Sequence, residues 1–570
     1  MTRLLNNPDN FPVESAEGFL LANKRHVRGL YGGAVRATKT PEGKVALVIG
    51  GGTGHYPAFA GWVGHGMADG VVMGNIFSSP SAAQAVSVAK AAERGGGVLI
   101  AFGNYAGDVL HFGDAAAQLS AQGIPARAVV TTDDIASASP EEKEKRRGIA
   151  GWVPVFKVTG AAAERGMDLD DVERVFHKAN DRTRTLGVAF SGCTLPGDTE
   201  PLFTVPEGKM AIGLGVHGEP GIAEVDFGTA DEVAKVLVER LLDERPDGAD
   251  NRVIALLNGL GTAKYEEMFV TFRAIHKLLE EAGLEIVDGE VGEFATSLDM
   301  SGVSLTLHWP DDELLELWND PVDTPTLRRG TVDPGDLRDD IHTLSQDPTR
   351  ITVTEEGSAE SRALAEKIAD TLDRVAAMLR EKMSELGKLD SYAGDGDHGT
   401  GMQRGSENAA VAARKLLGDG AGAGTLLAGA GEAWSATAGG TSGALWGVIL
   451  GAAGQGIGDA DVPSAEKVAG IVDDVSTTLQ QVGGAEEGDK TMLDALLPFS
   501  RALKDLISGG GSLSENWNKA ATVAAGAAQQ TADLSPKIGR ARPLAEKSVG
   551  HADPGAVSLA YVLATIGDDL

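Results

Sequence analysis

Three aspartates, Asp390, Asp395 and Asp397, fall within the stretch LDSYAGDGDHGTGM (389–402). Carboxylates this close repel one another, which raises at least one pKa unless a cation compensates. All-oxygen ligands suit Mg²⁺, which is commonly held by carboxylates together with substrate phosphates. A calcium loop fails on spacing: counting from Asp395, position six is Thr400 rather than glycine and position twelve is Ser406 rather than glutamate. The plainer alternative is a polar turn that caps a helix. A second stretch, GGTSGALWG (439–447), presents Thr441 and Ser442 after two glycines. At a helix start such a turn can receive phosphate, although a helix-packing turn of small residues reads the same way. A third, GAEEGDKT (484–491), approaches a P-loop but has Asp489 at the second glycine position, Glu486 and Glu487 ahead of it and no clear preceding strand. It is rejected as a P-loop, leaving a cation-binding or adenine-side loop.

Histidines carry the other candidate chemistry. ALVIGGGTGHYPAFAG (46–61) reads as a strand, a glycine-rich loop and His55. In FGNYAGDVLHFGDA (102–115), Asp108 begins a helix, where an N-cap role would be ordinary. GLGVHGEPG (213–221) has the Gly-x-Gly-x-x-Gly spacing of a dinucleotide turn with His217 inside it. Such a turn must run straight into a helix, whereas Glu219-Pro220-Gly221 follows and the next helical pattern starts near Thr229. The fingerprint is therefore accidental, and its glycines are expected to clear room around His217 for a small substrate. His55, Asp108 and His217 all follow strand-like runs, so one sheet edge can gather a base, a hydrogen-bond partner and a nucleophile.

The elements that must position these residues differ between the two halves. Up to about residue 330, VALVIG, GVVMGNIF, GVLIAF, ARAVVTT, KMAIGLGV and RVIALLNGL read as buried strands. They alternate with helices such as SAAQAVSVAKAAERG and TADEVAKVLVERLLDE. This pattern predicts an α/β domain with largely parallel sheets. The Pro- and Asp-rich residues 331–357 read as a linker, with a short exchanged strand as the alternative. Beyond Ser358, a plausible N-cap, the chain is Ala-rich and helical with glycine loops, predicting an all-α bundle or α-barrel over 358–570. A length of 570 residues demands at least two domains. The net charge of −32 argues against nucleic acid and anionic membrane as partners. Within that balance, EEKEKRR (141–147) reads as a solvated face. The single cysteine, Cys193, excludes an intrachain disulfide and reads as a buried thiol in a reducing compartment. No apolar run suggests a signal peptide or a membrane span.

Taken in order, GGGTGHYPAFAG, GNYAGD, GLGVHGEPG, GDGDHGTGM, GGTSGALWG, EGDKTMLDAL and GHADPGA (550–556) resemble the motifs of the dihydroxyacetone kinase family over nearly the whole chain. The resemblance implies a ketose-binding α/β domain (1–330), a linker (331–357) and an all-α nucleotide-binding α-barrel (358–570). It implies that His217 attacks the ketone carbon to give a covalent hemiaminal, with Asp108 as base and His55 bonding to the substrate. Gly52, Thr53 and Gly54 would line the substrate site. Asp390, Asp395 and Asp397 would hold Mg²⁺ on ATP. The nucleotide would touch His398, Gly399, Thr400, Gly401, Thr441, Ser442, Gly483, Met492, Asp553, Pro554 and Gly555. A cytoplasmic homodimer is implied. Three positions depart from the dihydroxyacetone pattern: Gly103 stands for a lysine, Tyr56 for a glutamate and Phe59 for a second histidine. Gly103 is expected to open space, and the GHYPAF loop looks more like the erythrulose kinases of the family. Two other readings are a relay in which phosphotransferase-system proteins recharge a bound ADP, and a non-catalytic sensor.

Overall fold

The computed structural model describes residues 4–333, 335–338, 340, 353, 355–394, 396–538, 542 and 545–570. The chain divides into two compact units, Met1–Pro348 and Thr349–Leu570. The first opens with helix α1 (Phe11–Ala22) and contains two six-stranded sheets.

The first sheet comprises β1 (Val27–Leu30), β2 (Gly33–Arg36), β3 (Ala46–Thr53), β4 (Gly70–Ile76), β5 (Val98–Gly103) and β6 (Ala126–Thr131). Its order is β1-β2-β4-β3-β5-β6, with β4, β3, β5 and β6 parallel. Helices α2 (Ala82–Ala92) and α3 (Ala106–Ala121) bury Val86 and Phe112 with Val48 and Ile100. On the other side α4 (Trp152–Glu164) and α5 (Leu169–Asp181) bury Phe156 and Phe176 with Leu47, Ile49 and Leu99. Burial on both faces explains why the central strands β3 and β5 read as unbroken apolar runs.

The second sheet contains β7 (Thr183–Ala189), β8 (Lys209–Ile212), β9 (Ala223–Asp226), β10 (Arg252–Gly259), β11 (Glu285–Gly292) and β12 (Gly302–His308), in the order β11-β10-β12-β7-β8-β9. Here the expectation of largely parallel sheets fails. Only β10 and β11 run parallel, and the other pairings are antiparallel. The cause is β12, which inserts between β10 and β7, and the short β8–β9 connection that an antiparallel pair permits. KMAIGLGV also ends as a strand at Ile212, freeing GLGV for the loop that holds His217. Helices α6 (Ala230–Leu242) and α7 (Tyr265–Glu281) cover this sheet with Leu237 and Ile275. Cys193 is buried, and burial pushes its thiol up to about 11, so it is a poor nucleophile.

Past α8 (Asp312–Asn319), residues of the segment read as a linker return to the first sheet. Leu337 bridges Thr38, Lys39 N donates to Asp336 O, and Arg338 N donates to Ala37 O.

Among its described residues the second unit contains helices and no strand. Its helices are α9 (Ala359–Asp390), α10 (His398–Gly418), α11 (Ala423–Ala438), α12 (Gly440–Ile457), α13 (Ala465–Gly483), α14 (Leu493–Ser508), α15 (Leu513–Gln530), α16 (Ala545–Ser548) and α17 (Pro554–Gly567). From α9 to α15 each helix packs on the next, α15 packs on α17, and α17 returns to α9. That closed circuit is an α-barrel. Its core includes Trp434 and Trp446, stacked 4.6 Å apart, and Phe499 against Trp517. Ser358 caps α9 as expected, accepting from Ser361 N at 3.0 Å. No helix among the described residues is long and apolar enough to cross a membrane.

Candidate active site

In the α/β unit, His55 follows the glycine-rich end of β3 and His217 sits in the β8–β9 loop. The fold brings them together, with their Nε2 atoms 3.0 Å apart. His55 Nδ1 lies 2.7 Å from the Thr296 carbonyl, and His217 Nδ1 lies 3.0 Å from Glu219 Oε1. A carbonyl and a carboxylate only accept, so each Nδ1 carries hydrogen. The two Nε2 lone pairs therefore face each other and repel unless a proton lies between them. Aromatic rings enclose the pair: Phe77 stacks on His55 at 4.9 Å, and Tyr105 stands edge-on to His217 at 5.1 Å. Burial, then the His217 ring, hold His55 down to about 3.

Asp108 is buried in the first turn of α3. It is not the N-cap expected from the sequence. Tyr105 occupies the cap, and Asp108 lies inside the helix, where the dipole favours a carboxylate. Gly52, Thr53 and Gly54 line a cavity of about 510 Å³ whose far wall is α1, and none of His55, Asp108 and His217 lines it. The Thr53 hydroxyl donates to Gly74 O at 3.0 Å.

The glycines of GLGVHGEPG serve the protein rather than a substrate, contrary to expectation. A Cβ on Gly213 would clash with Ala136, and one on Gly218 with Phe203. A Cβ on Gly215 would clash with the Glu219 carboxylate and lie 2.5 Å from Arg147 Nη1. Gly213 and Gly218 also have φ of 75° and 85°, where glycine is favoured. Gly215→Ala is expected to push Glu219 off His217 and cut ketose turnover by about 10²-fold, the usual scale for a displacement of about 1 Å. Steady-state kinetics would check this, with ATP affinity unchanged. The space expected at Gly103 is likewise filled. A Cβ there would lie 2.9 Å from both Trp152 Cζ2 and Tyr105 Cε2.

Sequence reasoning missed the charges behind His217. Arg147, read as part of a solvated face, is mostly buried and lies 2.8 Å from Asp134 and 3.7 Å from Glu219. Its neighbour Arg146 makes a bidentate pair with Glu244 at 2.8 Å. The signal available for Glu219 was a carboxylate two residues beyond a candidate nucleophile.

In the helical unit, His398 ties together the stretches expected to hold the nucleotide. Its ring lies 2.9 Å from Ser558 Oγ of α17 and 3.3 Å from Ser442 Oγ of α12, and its amide donates to Asp390 Oδ2 at 3.3 Å. Three motifs thus meet at the ends of α9, α10, α12 and α17. Gly439 and Gly440 both have positive φ, giving the tight turn before Thr441. Met492 lies 3.7 Å from the Cβ position of Gly555, and Gly483 ends α13 with Leu445 at 3.7 Å. Asp553 caps α17, whose first residue is Pro554, by accepting from Ala556 N at 2.7 Å. Thr400 and Gly401 lie in the first turn of α10. Gly399 has a packing duty, since its Cβ would clash with Met383 O of α9. Tyr392 and His551, not singled out from sequence, stack at 3.5 Å beside these motifs.

Asp390 ends α9, Asp397 is the N-cap of α10, and Asp395 lies outside the described residues. Among the described residues no group of three His, Cys, Asp or Glu is gathered to hold a metal. The donors nonetheless fit a divalent cation. Burial first, then repulsion from Asp390 and Asp494, pushes Asp553 up to about 7. A cation would relieve such crowding. The rejected P-loop is indeed something else. Asp494 accepts from Gly488 N at 2.5 Å and Thr491 N at 2.7 Å, while Lys490 Nζ donates to Ser548 O at 2.7 Å, so neither amides nor lysine face a phosphate.

Residues 17–326 match the Dak1 domain family and residues 392–568 the DAK2 domain family. The chain belongs to the dihydroxyacetone kinase family. It is 52% identical to the L-erythrulose kinase of Pectobacterium atrosepticum over 99% of this chain and 95% of that protein. It is 51% identical to the D-erythrulose kinase of Mycolicibacterium smegmatis over 100% of this chain and 98% of that one. Among solved structures it resembles the dihydroxyacetone kinase of C. freundii in complex with AMP-PNP and Mg²⁺, with 28% identity, a TM-score of 0.53 and 100% coverage of both chains.

Proposed function

We propose that this member of the family is an ATP-dependent kinase that phosphorylates a terminal hydroxyl of a short ketose, erythrulose in preference to dihydroxyacetone, held covalently on His217. The observation that carries the reading is the His55–His217 pair, with facing Nε2 atoms at 3.0 Å inside an aromatic enclosure. The ketose carbonyl takes the proton held between the rings as His217 Nε2 forms the bond to carbon. His55, fixed through Nδ1 by Thr296, keeps that shared proton aligned between the rings until the carbonyl oxygen receives it. A polyol has no carbonyl and gains nothing from this arrangement. Asp108 is the base for the hydroxyl that accepts the phosphoryl group.

In the helical unit, the turns at Thr441–Ser442 and Asp553–Gly555 receive ATP, and Asp390, Asp395 and Asp397 hold Mg²⁺. When bound, the metal supplies charge neutralisation on the transferred phosphoryl group. The reading includes domains at 1–330 and 358–570, a homodimeric assembly and a cytoplasmic site of action.

Purified protein with ATP, Mg²⁺ and a panel of dihydroxyacetone, D-erythrulose, L-erythrulose and glycerol tests it. Turnover of a ketose without any added carrier protein is expected. Turnover only with phosphotransferase-system proteins would replace ATP as donor, and absence of turnover under both conditions would leave a sensor.

A further inference from the structure

We infer that Glu219, braced by Arg147 and Asp134, is the positioning residue and counter-charge of the His217 adduct; this rests on the covalent reading above. The carboxylate is fixed on both oxygens. Oε1 faces His217 Nδ1 at 3.0 Å, and Oε2 accepts the His217 backbone N–H at 3.0 Å. The Arg147 guanidinium stands 3.7 Å behind Oε2. Arg147 is itself anchored: its Nε donates to Asp134 Oδ2 at 3.0 Å and its Nη2 to the Gly213 carbonyl at 3.3 Å. Gly215 leaves room for both side chains. The imidazole can neither flip nor slide without breaking contacts to its own loop.

The charges then add to a definite sign. Asp134 and Glu219 are negative and Arg147 is positive, so the cluster carries one surplus negative charge beside the His217 ring. Although burial alone would raise it, His217 and Arg147 hold the Glu219 carboxyl well below the usual carboxylate range. An unbalanced buried charge is costly, and His217 is the group placed to balance it. Before reaction the balance is the proton that the 3.0 Å contact between the two Nε2 atoms requires. In the adduct the Nε2 electron pair forms the bond to the ketose carbon and the carbonyl π pair moves to oxygen. The oxygen takes the proton shared with His55 Nε2, which leaves the His217 pair free for carbon, and the ring is left as an N-substituted imidazolium with hydrogen on Nδ1. The site holds one positive charge before and after, so Glu219 keeps it balanced throughout, whereas without Glu219 the imidazolium of the adduct would have no counter-charge. The same carboxylate keeps the Nδ1 position occupied, so that only Nε2 is presented for attack.

The test uses full-length protein and racemic erythrulose labelled with ¹³C at the carbonyl. In the unmodified chain, the carbonyl resonance is expected to move to the region of tetrahedral carbon, and His217→Ala is expected to abolish that signal. Glu219→Gln keeps the side-chain shape but removes the charge. It should lower adduct affinity by about 10²-fold, the scale for stripping one partner from a buried charge pair. Ketose KM should rise with it while ATP–Mg²⁺ affinity stays put. Glu219→Asp, which keeps the charge, should recover the adduct to within about tenfold. An unchanged adduct in Glu219→Gln, or equal losses in the Gln and Asp variants, overturns the inference and leaves the covalent reading intact. No adduct in the unmodified chain overturns both.

Discussion

His217→Ala is expected to lower kcat/KM for a short ketose by about 10³-fold and to erase most discrimination against glycerol. Covalent capture turns an encounter into an intramolecular arrangement, and well-oriented intramolecular reactions gain several orders of magnitude in effective concentration. The aromatic enclosure of Phe77, Tyr105 and Trp152 survives the substitution, so a ketose would still enter. It would enter without the bond that fixes its hydroxyls relative to Asp108. His55 would also lose the ring nitrogen it faces at 3.0 Å and with it the shared proton. Intact-protein mass spectrometry after mild trapping reads the adduct directly, and paired kinetics with ketose and glycerol read the discrimination. A ketose-to-glycerol ratio that survives the substitution would show that another feature selects the carbonyl.

The second large effect is expected at the other end of the phosphoryl transfer. Asp390→Asn or Asp397→Asn should weaken Mg²⁺-dependent nucleotide binding by about 10²-fold to 10³-fold, since charge neutralisation is most of what the protein contributes to this chemistry. Calorimetry with and without Mg²⁺ separates the metal-dependent increment from residual nucleotide affinity. Asp390 offers a further control. In metal-free buffer its charge pushes against buried Asp553, so neutralising it should leave thermal stability unchanged or raised. A variant that lost stability without metal and kept the Mg²⁺ increment would make Asp390 a structural cap through its contact with the His398 amide.

The two units differ in how much of them could be read from the chain. Strands β3, β4 and β5 were legible because burial on both faces makes apolar runs, the half-exposed edge strand β6 through its AVVT stretch, and the helices of the second unit because their periodicity is local. Strands β7 and β12 were not. TRTLGVA and GVSLTLH are too mixed to announce themselves, and their pairing, Gly302 with Ala189, joins distant residues. The site divides the same way. Each histidine, aspartate and glycine turn was visible as a motif, but the joining contacts were not. Arg147 sat in a run of charges that composition alone assigns to solvent, and its burial depends on Asp134, 13 residues before it, and on Glu219 in another loop. The glycines around His217 illustrate the remaining limit. Their spacing was plain, but whether they make room for a ligand or for Glu219, Phe203 and Ala136 depends on side chains that arrive from elsewhere.

The return of residues 336–338 to the first sheet bears on how the protein can be divided. A fragment ending at residue 330 would strip the partners from Ala37, Thr38 and Lys39, and it would remove the Arg338 guanidinium from the Ala91 carbonyl. Bare main-chain groups at a sheet margin recruit other chains. Anyone separating the α/β unit from the helical one should therefore cut beyond Asp340. A fragment cut there should stay monodisperse in light scattering at concentrations where the shorter one precipitates.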